Sequence, residues 1–204
     1  MADVHVRPAR PEDAADIARI QLATWRTAYA EVVPASVLEG VGDELAQAQW
    51  RAAIVSPPTP RHHVLVAKEQ DWTVGFVAFG PADADDLAGA EPGTADPGAT
   101  VAFTTLLVEP RWGRRGHGSR LLAAAVDLAR TDGQATGVTW ILVADQASQS
   151  FYRSAGWAPD GTGRALDLHG RAVHEIRLHA DLTDAGPDDA TPGAPGGSGP
   201  AAGA

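Results

Sequence analysis

The sequence predicts a mixed α/β fold of the α+β class, in which helices flank a central, mostly antiparallel sheet, and three observations predict it. Runs with strand and helix periodicity follow one another in the order β-α-α-β-β-β-α-β-α-β-β, which gives about seven strands and about four helices. Residues 63–67 and 72–80 are β-rich runs joined by the polar stretch KEQD, a pattern typical of an antiparallel hairpin. Strand–helix–strand alternation after residue 100 predicts at least one parallel crossover.

The N-terminal quarter is expected to form one strand and two helices. Residues 4–9, VHVRPA, are predicted as the strand. Pro11 is followed by two acidic residues, which is a helix-start signal because a helix N-terminus favours negative charge. Ile17 and Ile20 recur at helical spacing, so this helix is expected to run to about residue 30. A second helix at about 35–53 follows after a proline.

The rest of the chain alternates between strands, helices and one long loop. A helix is predicted from the apolar stripe of 117–131, and a shorter one at 146–156 is closed by a glycine. The stretch 81–99 is acidic and rich in glycine and proline, which predicts a long loop that is functional or mobile. Further strands are expected at 100–108, 137–144, 157–168 and 172–180.

Length and composition indicate one domain with a tail. Residues 1–182 are expected to form a single domain, whereas 183–204 are rich in glycine, proline and alanine and are predicted to be disordered. The chain has no apolar run of 18 residues and no signal-peptide pattern, so a cytoplasmic protein without membrane association is expected. The absence of cysteine excludes disulfides and thiolate catalysis, and the histidines form no convincing metal set, so no metal is expected.

The net charge of −10 is unevenly distributed, and its distribution argues against nucleic-acid binding. The loop 81–99 carries five acidic residues and no basic one, and the chain from Asp181 onward adds four more acidic residues. The remaining body is nearly neutral, so the broad positive surface that nucleic acid requires is not expected. The one basic cluster lies at 111–120 and is therefore locally distinct.

That cluster belongs to the segment VEPRWGRRGHGSRLL, where a predicted strand meets a predicted helix. Gly113, Gly116 and Gly118 allow backbone angles and close approaches that a Cβ would prevent. Backbone N–H groups at a helix N-terminus bind phosphate, and the neighbouring arginines add positive charge. The spacing G-x-x-G-x-G is not the G-x-G-x-x-G of dinucleotide folds, and no nucleotide-hydrolysing P-loop motif occurs. We therefore predict a diphosphate-binding turn, with a tight solvated turn as the alternative.

The run TTLLVEPRWGRRGHGSRLL resembles the acetyl-CoA-binding signature of the GNAT superfamily of N-acetyltransferases. A second block, DQASQSFYRSAGW at 145–157, resembles the family's N-x-x-A-x-x-F-Y-x-x-x-G-F/W segment, and the likeness extends over about residues 4–180. Gly113 departs from the signature, because the family has Arg or Gln at that position. The matching residues of the first run are Val108, Pro110, Gly116, Gly118, Leu121 and Leu122.

The resemblance implies a GNAT-like fold, in which two neighbouring parallel strands of the sheet splay into a V, and acetyl-CoA as the cosubstrate. The pantetheine arm is expected to pair with the strand at 106–108, and the diphosphate to lie on the N–H groups of 114–119. Arg114, Arg115 and Arg120 are expected to supply the outer positive charge. The residues implied in coenzyme binding are Leu106, Leu107, Val108, Gly113, Arg114, Arg115, Gly116, His117, Gly118, Ser119, Asp145 and Tyr152.

The resemblance also implies how the acetyl group is transferred. Tyr152 occupies the position of a general acid that protonates the departing coenzyme sulfur, with simple helix packing as the alternative. A backbone N–H near Leu107 is expected to polarise the thioester carbonyl.

The general base is left open by the sequence. Family members often carry a glutamate on one of two strands, and the corresponding positions here hold Ala102 and Trp140, which accept no proton. Glu175, Glu31 or a chain of water molecules are the alternatives.

Trp25 and Tyr29 lie one helical turn apart where the family often builds its acceptor pocket, with core packing as the alternative. Together with the acidic loop 81–99, they favour a cationic acceptor. The predicted function is acetyl transfer from acetyl-CoA to a primary amine of a small molecule or peptide, and a homodimer is compatible with it. A non-catalytic acyl-CoA-binding or sensory module is the main alternative, and an RNA-binding module is disfavoured by the acidic body.

Overall fold

The computed structural model describes residues 4–28, 42–89, 96–168 and 170–183. Within them the chain forms one seven-stranded sheet and four α-helices. The strands are β1 (Val4–Pro8), β2 (His63–Glu69), β3 (Trp72–Pro81), β4 (Thr100–Val108), β5 (Thr136–Leu142), β6 (Ala158–Leu168) and β7 (Arg171–Asp181). The helices are α1 (Ala14–Ala28), α2 (Asp43–Val55), α3 (His117–Thr131) and α4 (Gln146–Ser154), with short 3-10 turns at Pro11–Asp13 and Pro110–Trp112.

The predicted fold class and element order are confirmed. The first helix begins as a 3-10 turn, where the Asp13 carboxylate accepts a hydrogen bond from the Arg10 N–H at 2.7 Å, and becomes α-helical at Ala14. The start of the predicted second helix, the tip of the acidic loop and nearly all of the predicted tail lie outside the described residues. No helix in the described ranges is both long and apolar enough to cross a membrane.

The sheet has the strand order β1-β2-β3-β4-β5-β7-β6. Strand β4 pairs with β5 in parallel, as the crossover through α3 requires, and the other five neighbouring pairs of the described sheet are antiparallel. The last strand, β7, lies between β5 and β6, so residues of the C-terminal hairpin lie beside the end of β5.

Each face of the sheet has its own helices and apolar core. On one face, α3 and α4 cover a cluster in which Phe103 stacks on Phe79 and meets Trp157 edge-on, with ring centroids 5.4 and 5.2 Å apart. On the other face, the Ile17 side chain of α1 and Trp50 of α2 pack over β2 and β3. Burial of these apolar faces is the main force that holds the layers together.

Strands β4 and β5 separate soon after they begin. Their pairing covers three residues of each strand and ends at Ala102 and Val138. The register of β4 with β3 also shifts where Ala78 is followed by Phe79, and such a bulge bends a strand. The gap between the two strands beyond Ala102 is called the wedge below, and it corresponds to the V-shaped splay that the family resemblance implies.

Candidate active site

Residues 113–119, called the cradle below, connect the end of β4 to the first turn of α3. Arg114 and Gly116 have φ angles of 60° and 80°, in the left-handed region. Gly116 is the N-cap residue of α3 and takes this conformation without the steric cost of a Cβ. A turn of this kind directs successive backbone N–H groups to one side, and the first N–H groups of a helix have no intrahelical partner. The cradle therefore offers the donors that a diphosphate accepts.

Gly118 has an additional packing role that the sequence does not reveal. A Cβ at this position would lie 3.3 Å from the Phe151 ring and 3.8 Å from the Val108 side chain. The missing side chain thus lets α4 and the end of β4 approach the first turn of α3.

The three arginines predicted to add positive charge differ in what they contact. Arg115 forms an ion pair with Glu69 at 3.1 Å, and Arg120 donates to the backbone oxygen of Arg115 at 3.0 Å. Arg114 has no partner in the described part of the chain. Of the three, Arg114 is therefore the most available to an anion.

His117 contributes to the cradle through its backbone. Its imidazole is only 1% exposed, and its Nε2 lies 2.8 Å from a Glu69 oxygen. Its ring meets Trp112 edge-on, with centroids 6.4 Å apart. This arrangement anchors the N-terminus of α3 to the end of β2.

A cleft of about 440 Å³ leads from the cradle into the wedge. Every residue implied in coenzyme binding lines it except Arg115, which turns to Glu69. Residues from both faces of the sheet meet in the cleft, since Thr24 comes from α1 and Tyr152 from α4. Sequence reasoning did not assign Trp112, Ala147, Ser148 and Phe151, which complete the wall.

Thr24 also lines the cleft, although its position in the sequence does not predict this role. It continues the helical spacing of Ile17 and Ile20, which suggests core packing alone. In the structure its side chain lines the cleft, and its hydroxyl oxygen is buried without a partner among the described residues. Its neighbour Trp25 is half-buried, and the other predicted acceptor residue, Tyr29, lies outside the described residues.

Tyr152 lines the cleft and is 4% exposed. Burial raises the pKa of its phenol well above the usual value, and the hydrogen bond with Thr139 opposes that shift only weakly. The Thr139 hydroxyl itself donates to the backbone oxygen of Phe103 at 2.8 Å, close to the point where β4 and β5 separate. The phenol is therefore protonated at neutral pH and has a proton to donate.

The carboxylates that could act as the general base do not lie together. Among the described residues that line the cleft, Asp145 is the one carboxylate, and both of its oxygens are engaged by the backbone N–H and hydroxyl of Ser148 at the start of α4. Glu175 lies outside the cleft, where its carboxylate accepts a hydrogen bond from Arg164 Nε at 2.6 Å. Glu31 lies outside the described residues.

Trp140 stands where the family often has a glutamate, and it is surrounded by charged side chains. The Arg164 guanidinium lies 4.2 Å from the centre of its ring, and the Arg177 guanidinium lies 5.6 Å from it. Arg177 in turn pairs with Asp160 at 2.6 Å. Trp140, Asp160, Arg164, Glu175 and Arg177 are called the Trp140 network below.

The acidic loop is fastened to this network. Arg177 is 3% exposed and donates to the backbone oxygens of Asp86 and Ala88 at 2.9 and 3.2 Å. The Asp83 carboxylate accepts two backbone hydrogen bonds within the loop, and burial raises the pKa of Asp86. The first part of the loop is thus a fixed turn. Over the ranges that the structure describes, no cluster of three or more metal-ligating side chains is found.

The fold and the cleft define an acetyltransferase, and comparison with known proteins agrees. The model of the acetyltransferase (GNAT) family matches residues 21–157. The chain belongs to this family and is therefore an acyltransferase of the N-acetyltransferase type.

Individual proteins are also similar to this chain in sequence or in fold. The chain is 26% identical over 177 residues to YuaI of Bacillus subtilis (strain 168), an uncharacterized N-acetyltransferase, and the match covers 86% of this chain and 91% of YuaI. The yncA structure from Salmonella typhimurium, solved with its cofactor acetyl-CoA, aligns with a TM-score of 0.66 at 21% identity over 93% of this chain and 99% of that chain. The paia N-acetyltransferase of Thermoplasma acidophilum, in complex with coenzyme A, aligns with a TM-score of 0.65 at 14% identity over 88% and 99%.

Proposed function

We propose that the protein transfers the acetyl group of acetyl-CoA directly to a primary amine of a small molecule or peptide. The observation that carries this proposal is the cleft that joins the cradle to the wedge and is lined by the buried Tyr152. An anion-binding turn, a strand edge without a sheet partner and a protonated phenol are thereby aligned along one path.

The cleft fits acetyl-CoA in chemistry and shape. Backbone N–H groups of the cradle would hold the diphosphate, and Arg114 would lie at its outer side. Beyond Ala102, the edge of β4 that faces β5 has no ladder partner in the described part of the sheet, so its backbone groups are available to the amides of the pantetheine arm. The arm would then enter the wedge between Leu106 and Tyr152.

Transfer follows from this placement. The neutral amine nitrogen attacks the thioester carbon, and a backbone N–H of β4 near Leu107 stabilises the developing oxyanion. The carbon–sulfur bond breaks, and the Tyr152 phenol donates a proton to the departing thiolate. The amine nitrogen loses its extra proton, and Tyr152 regains one from solvent, so no net proton stays on the enzyme.

No carboxylate base is needed if the amine arrives neutral. The only carboxylate among the described cleft residues, Asp145, is occupied as a helix cap, so a water molecule is the proposed proton acceptor. Glu175 stays a candidate base that acts from outside the cleft, and Glu31 stays a prediction.

The acidic loop supports a cationic acceptor, whose ammonium would be attracted before it loses its proton. This is tested by Asp85→Asn, which removes an exposed charge of the loop and leaves the Arg177 contacts to the backbone of Asp86 and Ala88 in place. We expect the acceptor KM to rise at low salt and to approach the wild-type value at high salt, because exposed charges are screened. An acceptor KM that is unchanged at low salt contradicts the cationic acceptor.

A non-catalytic acyl-CoA-binding module is the second candidate, and the absence of an acid at Ala102 and Trp140 favours it. Thiol release from acetyl-CoA with a panel of primary amines separates the two, with calorimetry for coenzyme binding. Amine-dependent thiol release supports the enzyme, whereas tight binding without release supports the module. A cytoplasmic location and a homodimer stay predictions, to be tested by fractionation and sedimentation.

A further inference from the structure

We propose that the acceptor carries a carboxylate or a similar oxyanion in addition to its amine, and that Arg164 binds this group. The inference rests on the proposed function and narrows its substrate class to amines of the amino-acid type.

The Arg164 guanidinium is held in place, but not all of its hydrogen-bond donors are used by the described residues. Its Nε donates to Glu175 at 2.6 Å, and its guanidinium carbon lies over Trp140, 4.2 Å from the ring centre. The side chain remains 33% exposed, and its two terminal nitrogens have no hydrogen-bond partner within the described ranges. A guanidinium fixed through one nitrogen and one face presents its remaining donors as a preformed fork for a carboxylate.

Arg177 shows the contrast. It contacts the same indole, but its donors are taken by Asp160, by Thr162 and by two backbone oxygens of the acidic loop, and it is 3% exposed. Arg177 therefore stabilises the structure, whereas Arg164 has donors at the surface that no described residue uses.

The position of Arg164 is suitable for an acceptor. Trp140 lies two residues beyond Val138, where β5 loses its pairing with β4, so the network borders the wedge. Arg164 pairs across the sheet with Glu175, and Glu175 pairs with Leu142 near the end of β5. An open pocket of about 490 Å³ lies here, lined by Val143, Arg164, His174 and Glu175 among others.

The charges around the pocket are of both signs, which fits a zwitterion better than a simple cation or anion. Glu175 and the nearby Asp86 are acidic, and Arg164 supplies the free donors. An ammonium group would be attracted to the carboxylates while the acceptor's own carboxylate binds the fork. A glutamate at position 140 would repel that carboxylate, which gives a physical reason for the tryptophan.

The test uses the full-length enzyme with matched acceptors: phenylalanine against 2-phenylethylamine, and methionine against 3-(methylsulfanyl)propylamine. For each pair the ratio of kcat/KM with and without the carboxylate is measured in the wild type, Arg164→Gln and Arg164→Lys. Arg61→Gln is the control, because Arg61 is an exposed arginine that donates to the backbone oxygen of Gly98, at the far end of the acidic loop from the Arg177 contacts. Comparing ratios between variants cancels the intrinsic reactivity of each amine.

We expect the wild type to prefer the carboxylate-bearing member of at least one pair by tenfold or more. Arg164→Gln should reduce that ratio at least tenfold, Arg164→Lys should reduce it less, and Arg61→Gln should leave it unchanged. The Kd for coenzyme A and the thermal midpoint should stay near wild type in Arg164→Lys, which keeps the charge and the stem.

Acetylation of both members without preference, or a preference that survives both Arg164 variants, overturns the inference and leaves the proposed function standing. Coenzyme binding without acetylation of any amine in a broader panel overturns the proposed function, and the inference with it.

Discussion

The cradle and the Trp140 network lie on either side of the wedge, but they are built in opposite ways. The cradle is local in sequence, and it presents backbone N–H groups fixed by Gly116 and the start of α3. The network joins side chains from β5, β6 and β7 and fastens a loop that is distant in sequence. Backbone N–H groups stay in place when side chains are substituted, so the cradle can keep the same ligand. The ligand of the Trp140 network, by contrast, depends on which side chains are present.

The largest effect is expected from Arg177→Ala, which removes the centre of the network. The Asp160 carboxylate and two loop oxygens would lose their buried partner. We expect a loss of about 3 kcal/mol in the free energy of unfolding, because two loop oxygens lose a buried charged donor while the partly exposed Asp160 carboxylate is left to solvent. Urea unfolding measures this, and Arg61→Gln is the matched control. A loss below about 1 kcal/mol would mean that the network does not hold this side of the molecule.

The second prediction concerns Tyr152→Phe, which should affect the transfer step but not the binding of coenzyme A at the cradle. The hydrogen-bond partner of the phenol among the described residues is Thr139, which belongs to neither region. Because the variant lacks the proton donor, we expect kcat to fall about 100-fold, the usual share of a general acid. The Kd for coenzyme A should remain within about twofold, an effect below 0.5 kcal/mol. Rapid-quench and calorimetric measurements check the two expectations, and an unchanged kcat assigns Tyr152 to packing alone.

The Trp140 network should also make stability depend on acid pH. Burial by itself raises the pKa of Asp160, but hydrogen bonds from the Thr162 N–H and from Arg177 outweigh it and lower the pKa below the ordinary value of 3.8. A lowered carboxyl pKa stabilises the fold above the unfolded-state value, and this stability is lost as the pH falls through the folded-state value. Asp160→Asn should therefore be less stable than wild type by about 1 kcal/mol at pH 7, since solvent screens part of the interaction.

The same argument predicts how that difference changes with pH. It should shrink as the pH falls below about 4, where the wild-type carboxylate becomes protonated as well. Urea unfolding at several pH values follows the two proteins, and a difference that stays constant down to pH 2 contradicts the assignment.

A small effect is expected from Arg114→Ala in the cradle. Among the three arginines of the cluster, Arg114 is the one without a partner in the described residues, but it is exposed, so its charge is screened. We expect the Kd for coenzyme A to rise about fivefold at low salt, near 1 kcal/mol, and less at high salt. A loss of 100-fold would show that side-chain charge, not backbone, dominates the cradle.

The two regions also differ in what the sequence reveals. The cradle could be predicted because its residues are contiguous and because glycine spacing before a helix has a direct backbone meaning. The packing role of Gly118 could not, because it depends on Phe151, which comes from another helix. The parallel crossover, the splay and the order of elements followed from the strand–helix–strand pattern and the family resemblance.

The Trp140 network could not be predicted for a similar reason. Its members become neighbours only because β7 inserts between β5 and β6, and a sequence pattern does not specify that order. From the sequence, Trp140 is notable only because it occupies a position where the resemblance implies a glutamate. Glu175 is notable only as a candidate base. The stacking of Arg164 on Trp140 gives both residues a different meaning.

The most direct test of the central claim compares two glycines at the two ends of α3. Gly116 and Gly133 have φ angles of 80° and 81°, so glutamate at either position introduces the same charge and a similar backbone strain of about 1 kcal/mol. The measured quantity is the calorimetric Kd for coenzyme A, with pantetheine, which lacks the diphosphate, as the second ligand. We predict that Gly116→Glu weakens coenzyme A binding about 100-fold, near 2.7 kcal/mol, and pantetheine binding much less, while Gly133→Glu changes neither. A folded Gly116→Glu protein that binds coenzyme A as tightly as Gly133→Glu would contradict the claim that the backbone of this turn holds the diphosphate.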